Sequence, residues 1–162
     1  ALEAAETGHL VLSTLHTKDT VSAPVRLIDI GVPAYMVATA LQGVLSQRLI
    51  RVNCTACSCD YHPSEKENMW LNKEFGVEAK DLKLKHSKGC NVCNKTGFSG
   101  RTGVYELLEI DDSLAKFIHN GDLVGFMQEA KIRMHGKTMR DGVRDLLVNG
   151  RVSLPEAQKM GL

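Results

Sequence analysis

Two Cys-x-x-Cys pairs constrain the fold of this chain more than any other feature of its sequence. Cys54 and Cys57 form the first pair, and Cys90 and Cys93 form the second. Two residues between ligands allow one tight turn to aim both sulfurs at one ion, and four thiolates are a ligand set that Zn²⁺ prefers. Because four protein ligands leave no position open for water, the pattern predicts a structural zinc site and not a catalytic one.

The fifth cysteine, Cys59, leaves an alternative open. An odd number of cysteines argues against a closed disulfide framework. Cys59 could replace Cys57 as a ligand through a Cys54-x4-Cys59 spacing, although we favour a free thiol. His62 and His86 are further candidate ligands with weaker support. A redox-active pair or an iron–sulfur cluster fits two separated pairs less well than zinc does.

The overall charge disfavours a nucleic-acid binder. The chain has 20 Lys and Arg residues against 19 Asp and Glu residues, so its formal net charge is +1, and aromatic residues make up 5% of it. A dedicated nucleic-acid binder usually shows a basic excess or aromatic stacking platforms. We therefore expect no specific nucleic-acid partner. No stretch approaches the roughly 18 apolar residues that a membrane span requires.

Residues 1–52 have the pattern of an α/β layer. Ala1–Thr7 consists of helix formers and is typical of the end of a helix that starts upstream. Leu10–Leu12 is continuously apolar, which is typical of a strand buried on both faces of a parallel sheet. Helical spacing then predicts helices over Val21–Gly31 and Pro33–Leu41, and Gly43–Val52 is predicted to be a strand.

The remaining residues alternate between turn-rich and helical patterns. Ser64–Phe75 is predicted to be a helix, Lys80–Lys88 a lysine-rich surface stretch, and Val104–Ile110 a strand. Beyond Asp111, apolar residues recur at helical spacing and predict a small helical bundle. Ser153–Glu156 has the pattern of a capping box that would begin a last short helix.

The chain contains no phosphate-binding P-loop. Its only Gly-Lys-Thr sequence begins at Gly136, and the glycine that a P-loop needs five positions earlier is Lys131. The residues before Gly136 follow a helical pattern, whereas a P-loop follows a strand. The segment is therefore predicted to be a turn between helices.

Two histidines flank the predicted buried strand. His16 would lie at the carboxyl end of that strand, where open α/β sheets place their ligand crevices, and His9 would lie at its start. The hydroxyl groups of Ser13, Thr14 and Thr17 could accompany the His16 imidazole at a phosphate. A histidine at a strand end has a purely structural role more often than a phosphate-binding one.

The sequence around these histidines resembles a known family. Residues Thr7–Thr17 are similar to the histidine box of the secretion ATPase superfamily, and the cysteine pairs are similar to its four-cysteine insert. Further segments match in the same order: Arg26–Val32, Leu45–Leu49, Gly97–Glu106, Met139–Gly142 and Gly150–Glu156. The resemblance covers essentially the whole chain and points to the GspE/PilB-like ATPases of type II secretion and type IV pilus assembly. Retraction ATPases of this superfamily generally lack the insert.

The resemblance implies an architecture and a cellular role. The fold would be α/β, with the C-terminal part of a RecA-like P-loop ATPase domain at 1–52, a zinc-bound four-cysteine domain at 53–103 and a C-terminal strand and helical subdomain at 104–162. The parent protein would be a bacterial cytoplasmic hexamer, associated peripherally with the inner membrane through a platform protein. Hydrolysis of ATP, with magnesium, would drive pilin or pseudopilin assembly.

The resemblance also assigns roles to single residues. His16 would lie near the γ-phosphate and His9 would support the box, while Arg48 or Arg101 would reach the nucleotide; Arg48 could instead be a structural, salt-bridged arginine. In the family the P-loop lies upstream, so this chain alone is expected not to hydrolyse ATP and to be a monomer or weak oligomer. The alternative is a non-enzymatic zinc-ribbon module that binds protein or RNA, which the lysines of Lys80–Lys88 would favour.

Overall fold

The computed structural model describes residues 1–76 and 82–161. Within these residues it contains both helices and strands, and the assignment to a RecA-like α/β domain stays a prediction. Among the described residues, no helix combines the length and the apolar composition that a bilayer span requires. The elements in chain order are α1 (Leu2–Glu6), α2 (Ser22–Asp29), α3 (Ala34–Ala40), β1 (Gly43–Asn53), β2 (Ser58–Asp60), α4 (Glu65–Phe75), β3 (Lys85–Ser87), β4 (Phe98–Glu109), α5 (Asp112–His119), α6 (Leu123–Arg133), α7 (Met139–Val148) and α8 (Leu154–Lys159).

The chain forms two compact units, and each is built from two separate stretches. Unit 1 comprises Ala1–Ser46 and Glu106–Thr138, and unit 2 comprises Gln47–Tyr105 and Met139–Leu162. The division at 1–52, 53–103 and 104–162, which the resemblance implies, stays a prediction.

Unit 1 is organised around an apolar core between helices. Helix α5 begins at the N-cap Asp111, whose carboxylate accepts a hydrogen bond from the Leu114 amide at 2.9 Å. Its apolar positions, one turn apart, then face inward and meet α3 and α6. The buried members of this core are Val21, Val37, Leu108, Ile110, Leu114, Ile118, Phe126, Ala130 and Met134.

The prediction of a buried strand at Leu10–Leu12 is wrong. This segment has no regular secondary structure, and the side chains of Leu10 and Leu12 are 91% and 88% exposed. A parallel strand needs a neighbouring strand to bond with. In the described part of the chain, β1 pairs with β4 and β2 pairs with β3. Among the described strands, none pairs with Leu10–Leu12, although the apolar pattern of this segment is typical of a strand inside a sheet.

Unit 2 has a second core, formed by α4, α7 and α8 with parts of β1 and β4. Helix α4 confirms its prediction: Ser64 and Glu67 form a capping box at its start, and Gly76 ends it in the left-handed conformation. The buried members of this core are Ile50, Leu71, Leu84, Val104, Met139, Val143, Leu147, Val152, Leu154, Ala157 and Met160.

The capping box predicted for α8 does not form, although the helix does. Ser153 occupies the N-cap position, but its side chain makes no cap hydrogen bond. The Glu156 carboxylate is buried and instead accepts hydrogen bonds from Arg51 and Lys159. A buried carboxylate is more stable with two cations than with one backbone amide, so the long-range partners prevail.

The lysine-rich stretch is only partly a surface segment. Leu84 is 3% exposed and belongs to the core of unit 2, and Lys85–Ser87 forms β3. Lys80 and Asp81 lie outside the described residues. The turn predicted at Gly136 is confirmed, because residues 134–138 connect α6 to α7 without helical structure.

Candidate metal centre and histidine segment

Strand ends and turns bring the two cysteine pairs together. Cys54 follows β1 directly, and Cys57 precedes β2. Cys90 and Cys93 lie in the turns between β3 and β4. Because β2 and β3 are antiparallel partners, the start of one strand lies beside the end of the other, and the two pairs meet there.

The four sulfur atoms form a compact cluster. All lie within 4.8 Å of one another. The Sγ distances are 4.0 Å for Cys54–Cys90, 3.9 Å for Cys57–Cys93 and 3.8 Å for Cys90–Cys93. A tetrahedral zinc centre with Zn–S bonds of 2.3 Å places its sulfurs about 3.8 Å apart. The spacing of the described sulfurs therefore fits one zinc-sized ion.

Backbone amides stabilise negative charge on one of the sulfurs. The N–H groups of Cys90 and Gly97 point to Cys93 Sγ at 3.1 and 3.2 Å, and these contacts lower the pKa of Cys93 to about 6. Burial raises the pKa of the Cys57 thiol to about 11 in the absence of a cation. A bound metal cation offsets such a penalty, since it binds the thiolate form.

Two glycines permit the tight turns at the cluster. Gly89 has φ of +90°, and a Cβ atom there would lie 2.5 Å from the Lys95 carbonyl oxygen. Gly97 has φ of +80°, and its Cβ would lie 2.8 Å from the Ser87 carbonyl oxygen. Left-handed backbone this close to another carbonyl oxygen accepts only glycine without rearrangement.

The structure places Cys59 outside the cluster. Cys59 is the cross-strand partner of His86, and its Sγ lies 3.7 Å from both ring nitrogens of that histidine. His86 in turn contacts the ring of Tyr61 edge-on, with centroids 5.3 Å apart. Among the described residues, the group able to hold a metal consists of the four predicted cysteines.

The two predicted catalytic histidines are both exposed and lie in unit 1. His16 lines a surface cavity of about 280 Å³, together with Lys18, Arg26 and Asp29. His9 is not among the residues that line this cavity. Its Nδ1 lies 3.2 Å from both the Thr7 hydroxyl and the Ala4 carbonyl oxygen, beside the end of α1.

The two predicted nucleotide contacts, Arg48 and Arg101, lie in unit 2 near the end of α8. Arg48 donates a hydrogen bond to the Met160 carbonyl oxygen. Arg101 is exposed and lines a cavity of about 390 Å³ with Arg51 and Met160. The structure thus gives Arg48 a structural contact and leaves Arg101 at the surface.

Sequence reasoning missed a buried carboxylate in unit 1. Glu106 accepts two hydrogen bonds from Thr20, although 86 residues separate them. Glu106 lies between Val104 and Leu108 on the inward-facing side of β4. The sequence did carry a signal for this site. Alternate residues of a strand face the same side, and Glu106 stands between two apolar residues on the side that faces inward.

The chain matches a known family along nearly its whole length. The model of the family described as "Type II/IV secretion system protein" matches residues 1–159. "Type II secretion system protein E" of Pseudomonas aeruginosa is 40% identical over 146 residues, which cover 90% of this chain and 27% of that protein. "Type II secretion system ATPase E" of Vibrio cholerae is 38% identical over 161 residues, covering 99% and 31%.

Pilus motors are also similar. "Type IV pilus assembly ATPase PilB" of Thermus thermophilus is 36% identical over 156 residues, covering 96% of this chain and 17% of that protein. A crystal structure of the pilus retraction motor PilT with bound ADP shares the fold, with a TM-score of 0.60 at 24% identity, covering 98% of this chain and 34% of that one. The chain spans less than a third of the length of the three curated relatives from Pseudomonas aeruginosa, Vibrio cholerae and Thermus thermophilus.

Proposed function

The chain belongs to the type II/IV secretion system protein family, and on this premise we propose that it is the C-terminal portion of a hexameric ATPase. This ATPase powers pilin or pseudopilin assembly, in type IV pilus biogenesis or in type II secretion. The observation that carries the proposal is the match of the family model to residues 1–159, and relatives over 96% or more of this chain are named secretion and pilus assembly ATPases. That match favours a motor over a free-standing zinc-ribbon module.

The four-cysteine cluster is proposed to hold a structural zinc ion. Its support is the sulfur spacing of 3.8 to 4.0 Å, together with a donor set of four cysteine sulfurs, which is typical of structural zinc. When bound, zinc supplies a cross-link between the two cysteine pairs. Because retraction motors of the family generally lack this insert, the cluster also favours an assembly or secretion motor.

His16 is proposed to act near the γ-phosphate of ATP, and His9 to support the segment that carries it. The support is the position of His16 in a cavity with Lys18 and Arg26, two cations suited to phosphate oxygens. Arg101 is proposed as a further nucleotide contact, and Arg48 as a less favoured one because it bonds the Met160 carbonyl. Without a P-loop to hold the phosphates and magnesium, this chain alone would not hydrolyse ATP.

The cellular setting is part of the same proposal. The complete protein would be cytoplasmic and would contact the bacterial inner membrane through a platform protein. The isolated chain would be a monomer or weak oligomer, because the resemblance implies a nucleotide site at a subunit boundary and this sequence lacks the P-loop of such a site.

The proposal is tested by ATP hydrolysis in the complete protein that contains this sequence. Replacing His16 with alanine should lower kcat by about tenfold or more, as expected for a group that acts on the transferred phosphate. His135→Ala is the matched control, since His135 is an exposed histidine in the same unit. Equal turnover in the His16 and His135 variants would refute the role of His16, and a complete protein without ATPase activity would refute the motor.

The zinc is tested on the purified chain by elemental analysis together with thiol titration. One zinc per chain and one freely titrating thiol are the expected result, because Cys59 lies outside the cluster. Five titrating thiols without metal would refute the zinc site.

A further inference from the structure

A buried carboxylate in unit 1 holds Thr20, in the turn that follows His16–Lys18. Glu106 is 7% exposed and Thr20 is fully buried. Glu106 Oε1 accepts the Thr20 N–H at 2.8 Å and the Thr20 hydroxyl at 2.7 Å. Hydrogen bonds to a charged acceptor are stronger than those between neutral groups, and burial increases their effect. Thr20 is thereby fixed through both its backbone and its side chain.

Thr20 lies between the two stretches that line the His16 cavity. His16–Lys18 precedes it, and Ser22–Asp29 follows it as α2. The adjoining Asp19 carboxylate accepts the Ser22 N–H at 2.8 Å, which closes the turn locally. A rotation at Thr20 would therefore move one wall of the cavity against the other.

We propose that Glu106 is a positioning residue for His16: it anchors Thr20 and so sets the placement of the His16–Lys18 wall relative to α2. The proposal rests on the proposed function only where it assigns a phosphate to the cavity. Glu106 does not line the cavity, so its effect on chemistry passes through Thr20. A misplacement of about 1 Å of a group that acts on the reacting phosphate is sufficient to slow turnover strongly.

Kinetic measurements on the complete protein separate positioning from folding. Glu106→Ala should lower kcat about tenfold with KM for ATP nearly unchanged, because the proposed ground-state contacts to ATP lie mainly in the upstream P-loop. Glu106→Gln keeps a carbonyl oxygen as acceptor and should recover most of this loss. Glu109→Ala is the matched control, since Glu109 lies on the same strand and is exposed. Equal kcat in the Glu106 and Glu109 variants would overturn the inference.

A second pair of variants tests the same contact if Glu106→Ala does not fold. Thr20→Ser keeps the hydroxyl donor, whereas Thr20→Val removes it at nearly the same volume. Thr20→Val should have a lower kcat than the wild-type protein, and Thr20→Ser should keep most of the wild-type kcat. If both variants lose equal turnover, the hydroxyl contact is not what positions the segment, and the inference is refuted.

A measurement on this chain alone separates the inference from the proposed function. In NMR spectra, the His16 ring resonances should shift in Glu106→Ala but not in Glu109→Ala, and the Thr20 amide should exchange faster with solvent. Unchanged His16 resonances would overturn the positioning role even if the complete protein hydrolyses ATP. Shifted resonances together with a complete protein that lacks ATPase activity would support the positioning role and refute the motor.

Discussion

Replacing Glu156 with glutamine should destabilise unit 2 at neutral pH and have little effect in acid. The Glu156 side chain is 8% exposed and binds Arg51 Nε at 2.8 Å and Lys159 Nζ at 2.7 Å. Its hydrogen bonds with Arg51 are the main reason that the pKa of Glu156 falls from 4.5 to about 2. At 1.36 kcal/mol per pH unit, this difference corresponds to about 3 kcal/mol of folding free energy.

The lowered pKa of Glu156 determines how the stability of the fold changes with pH. The folded state holds the carboxylate ionised more readily than the unfolded state, so the stabilisation is complete above about pH 4.5 and is lost as the pH falls toward 2. Glutamine cannot ionise and also leaves the two cations without their buried anion. The free-energy difference between wild type and variant should therefore be about 3 kcal/mol at pH 7 and less than half of that at pH 3.

Urea unfolding followed by tryptophan fluorescence measures this difference. Trp70, the one tryptophan of the chain, lies on α4 against the core of unit 2. Asp60→Asn is the matched control, because Asp60 forms a 2.8 Å ion pair with Lys85 but is 76% exposed. Because solvent screens an exposed ion pair, its loss should destabilise the protein less than the loss of the buried Glu156 carboxylate. A Glu156 variant no less stable than the Asp60 variant, or a difference that is constant from pH 7 to pH 3, would refute the reasoning.

Three further predictions concern the cysteine cluster. Cys90→Ser should reduce bound zinc from one per chain to a small fraction by elemental analysis, since one lost thiolate removes much of a binding free energy on the order of 10 kcal/mol; unchanged zinc would exclude Cys90 as a ligand. Gly97→Ala should lower the unfolding free energy by roughly 2 kcal/mol, because its Cβ would lie 2.8 Å from the Ser87 carbonyl oxygen. Gly100 has a similar φ but open space around it, so Gly100→Ala should lower the unfolding free energy less. Equal losses of the two variants in urea unfolding would contradict this. Cys59→Ser should remove the one thiol that titrates in the metal-bound chain and keep its zinc, whereas loss of zinc would make Cys59 a ligand.

The sequence predicts elements that depend on nearby residues. Helix α4 follows from the capping residues Ser64 and Glu67 and from Gly76 after its last turn. The cysteine cluster follows from two short spacings, since each pair needs only its own turn to aim two sulfurs at one point. The capping contacts of α4 and the turn within each cysteine pair join residues within a few positions of one another, whereas the meeting of the two pairs depends on the pairing of β2 with β3.

The sequence-based predictions that are wrong, and the contacts that were missed, depend on residues far apart in the chain. The pattern at Leu10–Leu12 is that of a strand, but a strand exists only beside another strand. Glu156 has the spacing of a capping residue, yet Arg51, 105 residues away, binds its carboxylate. Glu106 and Thr20 are 86 residues apart. Periodicity carries no information on which distant cation or amide a buried carboxylate will meet.

The interleaving of the two units sets an order for folding during synthesis. The core of unit 2 contains residues from both Gln47–Tyr105 and Met139–Leu162. This core therefore cannot be completed until the second stretch has been synthesised. Chains emerge from the ribosome at about 5–20 residues per second, and the 33 residues of Glu106–Thr138 take at least a second or two. The four cysteines of the cluster are synthesised before that interval begins, so a metal ion bound to them would hold Cys54–Cys93 together while α7 and α8 do not yet exist.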